Sequence, residues 1–249
     1  MPRQPAAPRS VITRVTCPST QDIIRDEALA GAPAGTIAVT DHQSAGRGRR
    51  GRTWEAPPGR ALMLSYLARP SRPLAELGPL ALVVGIVIAE RLPVPTRLRW
   101  PNDLVIGGGK TGGILVELVT PPAGAPFAVI GIGINANLTA AELPPTDRLP
   151  ATSLLVEGGV EVDRVALLES IAVGLDDALA AFDHTGFAPF ASRFAQLDAL
   201  AGHRLALRLG ADEATGVAAG VDADGRLLLR DEDGAVRSYA AGEVERVLD

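Results

Sequence analysis

The fold is decided by two apolar runs, TGGILVELV at residues 111–119 and FAVIGIGI at residues 127–134. Both runs are rich in β-branched residues, and glycine or proline stands beside each of them. Short apolar runs bounded in this way favour strands in the middle of a sheet. We therefore predict two central strands at these positions.

Further elements surround these runs and alternate along the chain without an internal repeat. Helices and strands follow each other in mixed order, which predicts an α/β (α+β) domain over residues 11–200. We expect strands at residues 10–16, 36–40, 61–68 and 97–100, and helices at 21–30, 74–92, 163–182 and 187–197. Residues 1–10 contain three prolines and no apolar run, which predicts a loose tail.

The pattern changes after Ala201. Short strand-like runs at residues 204–209, 215–221, 226–230 and 235–240 are separated by turns. Two of these turns contain Asp-Gly pairs, which are strong hairpin signals. Residues 201–249 are therefore predicted to form a small barrel or sandwich.

Composition and charge exclude several classes of protein. The net charge of −5 argues against a surface that binds nucleic acids in general. Cys17 is the only cysteine, so an internal disulfide is impossible, which fits a reducing cytoplasm. The first ten residues do not resemble a signal peptide, and the longest apolar stretch, residues 79–89, is too short to span a bilayer. We expect a cytoplasmic protein without a membrane segment.

The strongest functional signal is the loop GRGRRGRTW at residues 46–54. Four arginines stand within six positions, and their mutual repulsion favours a bound phosphate or carboxylate. The three glycines let the backbone approach a ligand closely, and Trp54 offers a ring on which a base can stack. The alternative is a solvated basic loop or a nucleic-acid patch.

A lysine inside the glycine-rich segment GGGKTGG, residues 107–113, is the second signal. The segment is not a P-loop, because position 104 is leucine where that motif needs glycine, and a strand is predicted where it needs a helix. Lys110 is a candidate for a fixed positive charge at the start of a strand. The alternative is a solvated lysine in a hairpin turn.

Polar residues also follow two other short segments. GIGIN at residues 131–135 lacks the glycine that a dinucleotide fingerprint needs at position 136, which favours a tightly packed strand end. Asn135 nevertheless offers the donor and the acceptor that an adenine edge requires.

Asp103, at the end of WPND, either binds Mg²⁺ or caps a turn. Ser19 and Thr20, taken alone, are helix caps.

Taken together, these segments resemble the biotin–protein ligase family. The matching pieces are STQ at residues 19–21, Gln43, the loop at 46–54, WPNDL at 100–104, KTGGILVE at 110–117, GIGIN at 131–135 and ATSL at 151–154. AGVD at 219–222 and AGEV at 241–244 are similar to the family's SH3-like C-terminal domain. The resemblance covers nearly the whole chain, and the arginine loop together with the lysine motif is highly specific.

The resemblance implies a mixed-sheet catalytic domain of the biotinyl/lipoyl-ligase type, followed by an SH3-like β-barrel. It implies an enzyme that forms biotinyl-5'-adenylate from biotin and ATP, with Mg²⁺. The biotin is then transferred to a lysine of the biotin carboxyl carrier domain of an acyl-CoA carboxylase.

The resemblance also implies roles for individual residues. The implied biotin-binding residues are Ser19, Thr20, Gln21, Gln43, Arg47, Gly48, Arg49, Lys110 and Gly112. The implied ATP-binding residues are Arg49, Arg50, Arg52, Trp54, Lys110 and Asn135, of which Lys110, Arg49 and Arg52 are catalytic. Asp103 is the implied ligand of Mg²⁺. The loop at residues 44–54 is expected to be a lid that is disordered without ligand and ordered over the adenylate, which it shields from water.

The chain departs from the family at two places. Gln21 stands where the family often has asparagine, which puts a direct contact between this side chain and biotin in question. About eighteen residues precede Ser19, too few for the DNA-binding domain of some relatives. We therefore expect the ligase-only type, without specific DNA binding, as a monomer or homodimer. The rival functions are a lipoate or octanoyl transferase of the same superfamily and a nucleic-acid-binding module.

Overall fold

The computed structural model describes residues 9–146 and 149–248. Within them, the larger sheet consists of β1 (Val11–Cys17), β2 (Ile37–Gln43), β3 (Leu62–Ala68), β4 (Arg97–Arg99), β5 (Asp103–Ile106), β6 (Gly109–Val119) and β7 (Phe127–Ile134). The strand order is β1-β2-β3-β7-β6-β5-β4. Strands β1 and β2 are parallel and the other pairs are antiparallel, so the sheet is mixed, as expected. The two apolar runs form β6 and β7 near its centre.

The pairing of β6 with β7 places glycines next to one another. Gly113 lies opposite Gly133, and Leu115 lies opposite Gly131. Because successive side chains of a strand point to opposite faces, these four positions share one face of the sheet. That face lacks side chains at three neighbouring positions, which leaves room above it for other groups.

Helices cover both faces of this sheet. They are α1 (Thr20–Leu29), α2 (Leu80–Ala89), α3 (Leu154–Gly158), α4 (Arg164–Thr185) and α5 (Ala191–Leu197). Helix α1 packs on the face that carries Val129, while α2 and α4 pack on the face that carries Ile130 and Ile132. Helix α2 is apolar on all sides because it lies between the sheet and α4, where almost every residue is buried.

The C-terminal part forms a second sheet. Its strands are β8 (Arg204–Leu209), β9 (Asp212–Val221), β10 (Leu227–Arg230), β11 (Val236–Tyr239) and β12 (Glu243–Val247). They are antiparallel in the order β11-β10-β9-β8-β12. The predicted small β fold at the C-terminus is confirmed. The buried Trp100 Nε1 of the first sheet's border donates to the Gly225 carbonyl at 3.1 Å and so joins the two parts.

The predicted helix at residues 74–92 is wrong in its extent. Residues Leu74–Glu76 form a single 3₁₀ turn, and α2 begins only at Leu80. Pro79 at the helix start has no N–H to donate, which suits a first turn and prevents the preceding residues from continuing the same hydrogen-bond ladder. Strands β5 and β12 and helix α3 were not predicted, because four or five residues are too few to show a period.

The two remaining expectations concern the N-terminus and the membrane. Residues 1–8 of the predicted tail lie outside the described residues, and Arg9 is anchored by a hydrogen bond of 3.2 Å from its Nη1 to Asp176. In the part of the chain that the structure describes, each helix is either too short or too polar to cross a membrane.

Candidate active site

A cavity of about 150 Å³ lies over the glycine-bearing face of β6 and β7. Its walls come from the N-terminus of α1, the end of β2, the loop at residues 44–54 and the start of β6. It gathers most of the side chains that the sequence singled out: Ser19, Thr20, Gln21, Gln43, Arg47, Gly48, Arg49, Arg50, Arg52, Trp54, Asp103 and Lys110. Segments that are far apart in the chain therefore meet at one place.

One end of the cavity is lined by uncharged hydrogen-bonding groups. The Thr20 amide and hydroxyl donate to Gln43 Oε1 at 2.8 and 3.2 Å, and the Thr20 hydroxyl lies 2.8 Å from the Ser65 hydroxyl. Ser19 caps α1, because its hydroxyl accepts from the Gln21 amide at 3.3 Å. Because these groups are uncharged and hold one another in place, this end suits a neutral polar ligand group.

Gln21 lies beside this end, between α1 and the sheet. Its Nε2 donates to the Leu115 carbonyl at 3.2 Å, and only 3% of the residue is exposed. The side chain covers Gly131, where an added Cβ would lie 2.9 Å from Gln21 Cδ. The longer side chain at this position therefore reaches the sheet and forms part of the cavity wall.

The other end of the cavity is positively charged. Lys110 Nζ forms a salt bridge of 2.7 Å with Asp103 and lies 5.8 Å from the centroid of the Trp54 ring. Arg49 Nη1 donates to Asn102 Oδ1 at 3.0 Å. Burial lowers the pKa of Arg49, because the charged guanidinium loses solvent there. A bound anion would restore that stabilisation, so this end suits carboxylate or phosphate.

Backbone pairing fixes the position of Lys110. Its amide donates to the Pro150 carbonyl at 2.7 Å, and its carbonyl accepts from the Thr152 amide at 2.9 Å. The hairpin turn before it uses Gly107 and Gly108 with φ of 56° and 83°, values that favour glycine. Lys110 is thus a paired, positioned charge at the start of β6 and not a solvated turn residue.

Trp54 lies on the glycine floor of the cavity. A Cβ on Gly133 would come within 2.5 Å of the Trp54 ring, and one on Gly113 would lie 3.6 Å from it. The indole Nε1 is buried and has no hydrogen-bond partner among the described residues. The close packing explains why glycine, and not another small residue, stands at position 133.

The loop at residues 44–54 has its own hydrogen bonds. The Trp54 amide donates to the Gly46 carbonyl at 2.9 Å, and the Gly48 amide donates to the Arg52 carbonyl at 2.7 Å. Gly46 leaves no space for a side chain, since an added Cβ would lie 2.3 Å from the Trp54 carbonyl oxygen. The two ends of the loop are therefore joined to each other above the cavity.

An acidic group on the rim holds Arg47. Its Nη1 and Nη2 donate to the two carboxylate oxygens of Asp22 at 3.0 and 2.8 Å, and Nη2 lies 3.6 Å from Glu117. Glu117 also accepts from Arg25 Nη2 at 2.6 Å. The Arg47 side chain is thus directed to α1 and β6, which ties the first half of the loop to the domain beneath it.

A second acid, Glu243 of β12, holds the other half of the loop. It pairs with Arg50 at 3.0 Å and with Arg52. The C-terminal sheet therefore contributes directly to the cavity wall. Together with Asp22, Glu243 offsets the repulsion among the loop arginines that the sequence suggested. The expected disorder of the loop without ligand stays a prediction.

Two of the residues that the resemblance implied do not line the cavity. Asn135 is buried, and its Nδ2 donates to the Thr152 carbonyl at 3.0 Å. Gly112 is packed within the sheet, where an added Cβ would lie 2.8 Å from both the Gly133 carbonyl and Leu104. The structure thus places both behind the residues that line the cavity, where they pack and form hydrogen bonds within the domain.

Asp103 is the only predicted metal ligand. Among the described residues, no group of three or more His, Cys, Asp or Glu side chains could hold a metal ion. A single carboxylate at the charged end nevertheless fits Mg²⁺, which commonly binds proteins through one or two carboxylates and keeps its contacts to substrate phosphates and water.

The residues that sequence reasoning missed are mainly acids. Asp22, Glu117 and Glu243 carry no local signal, because an acid on a helix or strand surface is ordinarily solvated. Glu117 and Glu243 do fall within segments that match the family, and Asp22 directly follows another such segment. Their significance depends on the arginines that the fold brings to them.

Comparison with protein families assigns both parts of the chain. The model of the biotin/lipoate A/B protein ligase family matches residues 12–135, and that of the biotin protein ligase C-terminal domain matches residues 202–247.

Curated relatives agree with these matches. The bifunctional ligase/repressor BirA of Escherichia coli is 38% identical over 85% of this chain, which spans 66% of that protein's length. The biotin–[acetyl-CoA-carboxylase] ligase of Mycobacterium tuberculosis is 31% identical over 84% of this chain and 78% of its own length. The protein of that name from Paracoccus denitrificans is 31% identical over 84% of this chain and 91% of its own length.

A solved structure shows the same architecture. The biotin protein ligase of Aquifex aeolicus in complex with biotin and ATP superposes with a TM-score of 0.80 at 29% identity. The match covers 94% of this chain and 97% of the other. The mixed sheet, its helices and the C-terminal sheet are therefore shared.

Proposed function

Since the chain belongs to the biotin protein ligase family, we propose that it uses ATP to join biotin to a lysine of an acceptor protein. The reaction has two steps: biotin and ATP form biotinyl-5'-adenylate, and the biotinyl group then passes to the lysine amine. The observation that carries this proposal is the cavity with a neutral polar end at Thr20 and Gln43 and a cationic end at Lys110 and Arg49.

Biotin has matching ends. Its cyclic urea is neutral and both donates and accepts hydrogen bonds, so it belongs at the end formed by Ser19, Thr20 and Gln43. Its carboxylate belongs beside Lys110. The acyl chain would then run through the cavity from Thr20 to Lys110, past Gln21 and Trp54, which lie on the glycines of the floor. Arg47 and Gly48 of the loop would cover the ring.

ATP belongs at the cationic end. The Trp54 ring provides an apolar surface for the adenine base, and Arg49, Arg50 and Arg52 bring positive charge to the phosphates. Asn135 lies behind this end, and its contact with the adenine edge remains part of the proposal. Mg²⁺, held by Asp103 and the phosphates, would supply further positive charge at the phosphoryl oxygens.

In the first step, a biotin carboxylate oxygen attacks the α-phosphorus of ATP and pyrophosphate leaves. Two anions have to approach one another, so a positioned cation between them lowers the barrier. The backbone hydrogen bonds of Lys110 hold it at this point. Its Nζ, which pairs with Asp103, would turn from that carboxylate to the biotin carboxylate and the α-phosphate when they bind. Arg49 would stabilise the charge that develops on the phosphoryl oxygens.

In the second step, the amine of the acceptor lysine attacks the acyl carbon, an amide forms and AMP leaves. The amine has an ordinary pKa near 10.4, so it must lose a proton before it attacks. The loop at residues 44–54 would keep water away from the anhydride until the acceptor arrives. The names of the M. tuberculosis and P. denitrificans relatives favour the biotin carboxyl carrier domain of an acyl-CoA carboxylase as acceptor.

A lipoate or octanoyl transferase is the rival function within the superfamily. The N-terminal family model covers lipoate ligases as well, whereas the C-terminal model bears the name of biotin protein ligases alone. This difference favours biotin as the substrate.

We further propose that residues 11–200 form the catalytic domain and residues 201–249 the SH3-like domain that supplies Glu243 to it.

One experiment tests the proposed function. The protein is incubated with biotin, ATP, Mg²⁺ and a purified carrier domain, and the carrier is weighed by mass spectrometry. We expect the mass of one biotinyl group on the carrier, and none when either biotin or ATP is left out. A parallel incubation replaces biotin by octanoate or lipoate. An unmodified carrier in the first incubation, or more modification with octanoate or lipoate than with biotin, would contradict the proposal.

A further inference from the structure

The floor of the cavity carries two side chains that lie flat on glycine. On β7, Gly133 lies under the Trp54 ring and Gly131 lies under Gln21. Residues two apart on a strand are roughly 7 Å from each other along the strand axis. The floor is therefore bounded by an aromatic ring at one position and by a carboxamide at the next position on the same face.

The sizes of Gln21 and Gly131 are complementary. An added Cβ on Gly131 would lie 2.9 Å from Gln21 Cδ and 3.2 Å from Cγ and Nε2, which is too close for real atoms. Only glycine at position 131 lets a glutamine lie here. The backbone of Gly131 has no positive φ, so its neighbour, and not strain, requires glycine.

The Gln21 carboxamide is held by one hydrogen bond only. Its Nε2 donates to the Leu115 carbonyl at 3.2 Å, while its Oε1 receives no donor from the described residues. The residue is 3% exposed and lines the cavity. This oxygen remains accessible to solvent. A ligand that displaces water from it must therefore supply an N–H in its place.

We propose that Gln21 and Gly131 together form the wall that determines which acyl acid the cavity accepts, an inference that rests on the proposed function. Gln21 limits the depth of the cavity, and its Oε1 accepts a hydrogen bond from the head group of the acid. A cyclic urea offers such an N–H. A linear hydrocarbon acid offers none, and it would leave this oxygen desolvated and unpaired, so the wall selects against it.

The test uses two acids, biotin and octanoate, and measures acid-dependent exchange of pyrophosphate into ATP. In Gln21→Ala, we expect the preference for biotin over octanoate, as the ratio of kcat/KM, to fall about tenfold or more, because the hydrogen bond is lost and the cavity deepens. In Gly131→Ala, we expect KM for biotin to rise about tenfold or more, because the new methyl group pushes Gln21 into the cavity.

The double variant with both substitutions separates this wall from general damage. Removing the Gln21 side chain makes room for the methyl group that Gly131→Ala introduces, so KM for biotin should return to that of Gln21→Ala alone. Gly133→Ala is the matched control, because it lies on the same strand and face but beneath Trp54. Gln21→Ala should not rescue Gly133→Ala.

The outcomes distinguish this inference from the proposed function. If the wild-type protein shows no biotin-dependent exchange, the proposed function fails. If the wild type uses biotin but Gln21→Ala keeps the same preference between the two acids, only the role of this wall is overturned. If Gly131→Ala does not fold, the single Gln21→Ala variant decides, with the melting temperature as the check that it is intact.

Discussion

Lys110 lies between two partners, the Asp103 carboxylate at 2.7 Å and the Trp54 ring with its centroid at 5.8 Å. Its neighbours along the chain are glycines and a threonine, which say nothing about charge. The sequence singles out Lys110 as a candidate charge, and the fold supplies the partners that position it. The same holds for Asn135, whose amide is used within the domain behind the cavity.

We predict that Lys110→Ala lowers the rate of biotin-dependent pyrophosphate exchange by about 100-fold to 1000-fold, since a positioned cation contributes about 3 kcal/mol to the stability of such a transition state. The melting temperature should change little, because the Lys110–Asp103 pair is partly exposed. Arg14→Ala is the control: it removes one positive charge on the exposed surface of β1, outside the cavity, and should leave the exchange rate unchanged. An exchange rate for Lys110→Ala equal to that of the wild type would contradict the role of Lys110.

For Asn135, we predict that substitution by alanine mainly affects stability. Its buried Nδ2 donates to the Thr152 carbonyl at 3.0 Å, so Asn135→Ala leaves that carbonyl without its donor and costs about 1–3 kcal/mol. Urea unfolding measures this loss, and KM for ATP measures the proposed adenine contact in the same variant. A wild-type unfolding midpoint combined with a raised KM would show that Asn135 contacts the nucleotide instead.

At the scale of elements, the loop at residues 44–54 depends on two acids from other parts of the molecule. Asp22 of α1 binds Arg47, and Glu243 of β12 binds Arg50 and Arg52. Arg49 is directed to the carboxamide of Asn102, and burial lowers its pKa. Arg47, Arg50 and Arg52 thus attach the loop to the rest of the molecule, while Arg49 lies at the charged end of the cavity.

We predict that Asp22→Asn loosens the loop. The bidentate Arg47–Asp22 pair is partly exposed and contributes about 1 kcal/mol, so its loss should raise protease cleavage within residues 44–54 and release of biotinyl-adenylate about fivefold. Arg47→Ala should have the same effect. Bound biotin should protect the loop of the wild type from cleavage.

Two variants control this experiment. Asp26→Asn removes an exposed acid one turn further along the same helix and should leave both measurements unchanged. The double variant Asp22→Asn with Arg47→Ala should have no larger effect than Arg47→Ala alone, because both substitutions remove the same pair. Equal cleavage of all variants, with and without biotin, would remove the lid from the mechanism.

At the scale of the whole molecule, the basic residues are almost all arginines. Of the 24 basic residues, Lys110 is the only lysine, and the others are arginines. An arginine guanidinium stays protonated and does not attack an acyl group, whereas a lysine amine does. The chain therefore offers the proposed adenylate no side-chain amine apart from that of Lys110 in the cavity.

From this composition we predict that the protein resists modification by its own product. Incubation with biotin and ATP, without a carrier, should place no biotin on the chain other than at its terminal amine, as measured by peptide mass mapping. The control adds a surface lysine through Arg14→Lys in the background of Asp22→Asn, the variant that is expected to release the adenylate. That lysine should become biotinylated. Biotin on many sites of the wild-type chain would contradict the prediction.

The sequence by itself determined the elements and the chemistry that depend on local pattern. The runs at residues 111–119 and 127–134 predicted β6 and β7, because alternation, β-branching and bounding glycines are local properties. The arginine loop and Lys110 were recognisable because their residue types and spacing suit anions. The order of these segments along the chain indicated the family, which the comparisons confirmed.

Only the tertiary structure decided which groups meet. The partners of the loop arginines, Asp22, Glu117 and Glu243, come from α1, β6 and β12, and no local pattern distinguishes them from other surface acids. Gln21 was a doubtful ligand contact in the sequence, and the packing of α1 on the sheet places it over Gly131. The physical reason is that a side chain's partner is set by strand register and helix packing, which depend on contacts between residues distant in the chain.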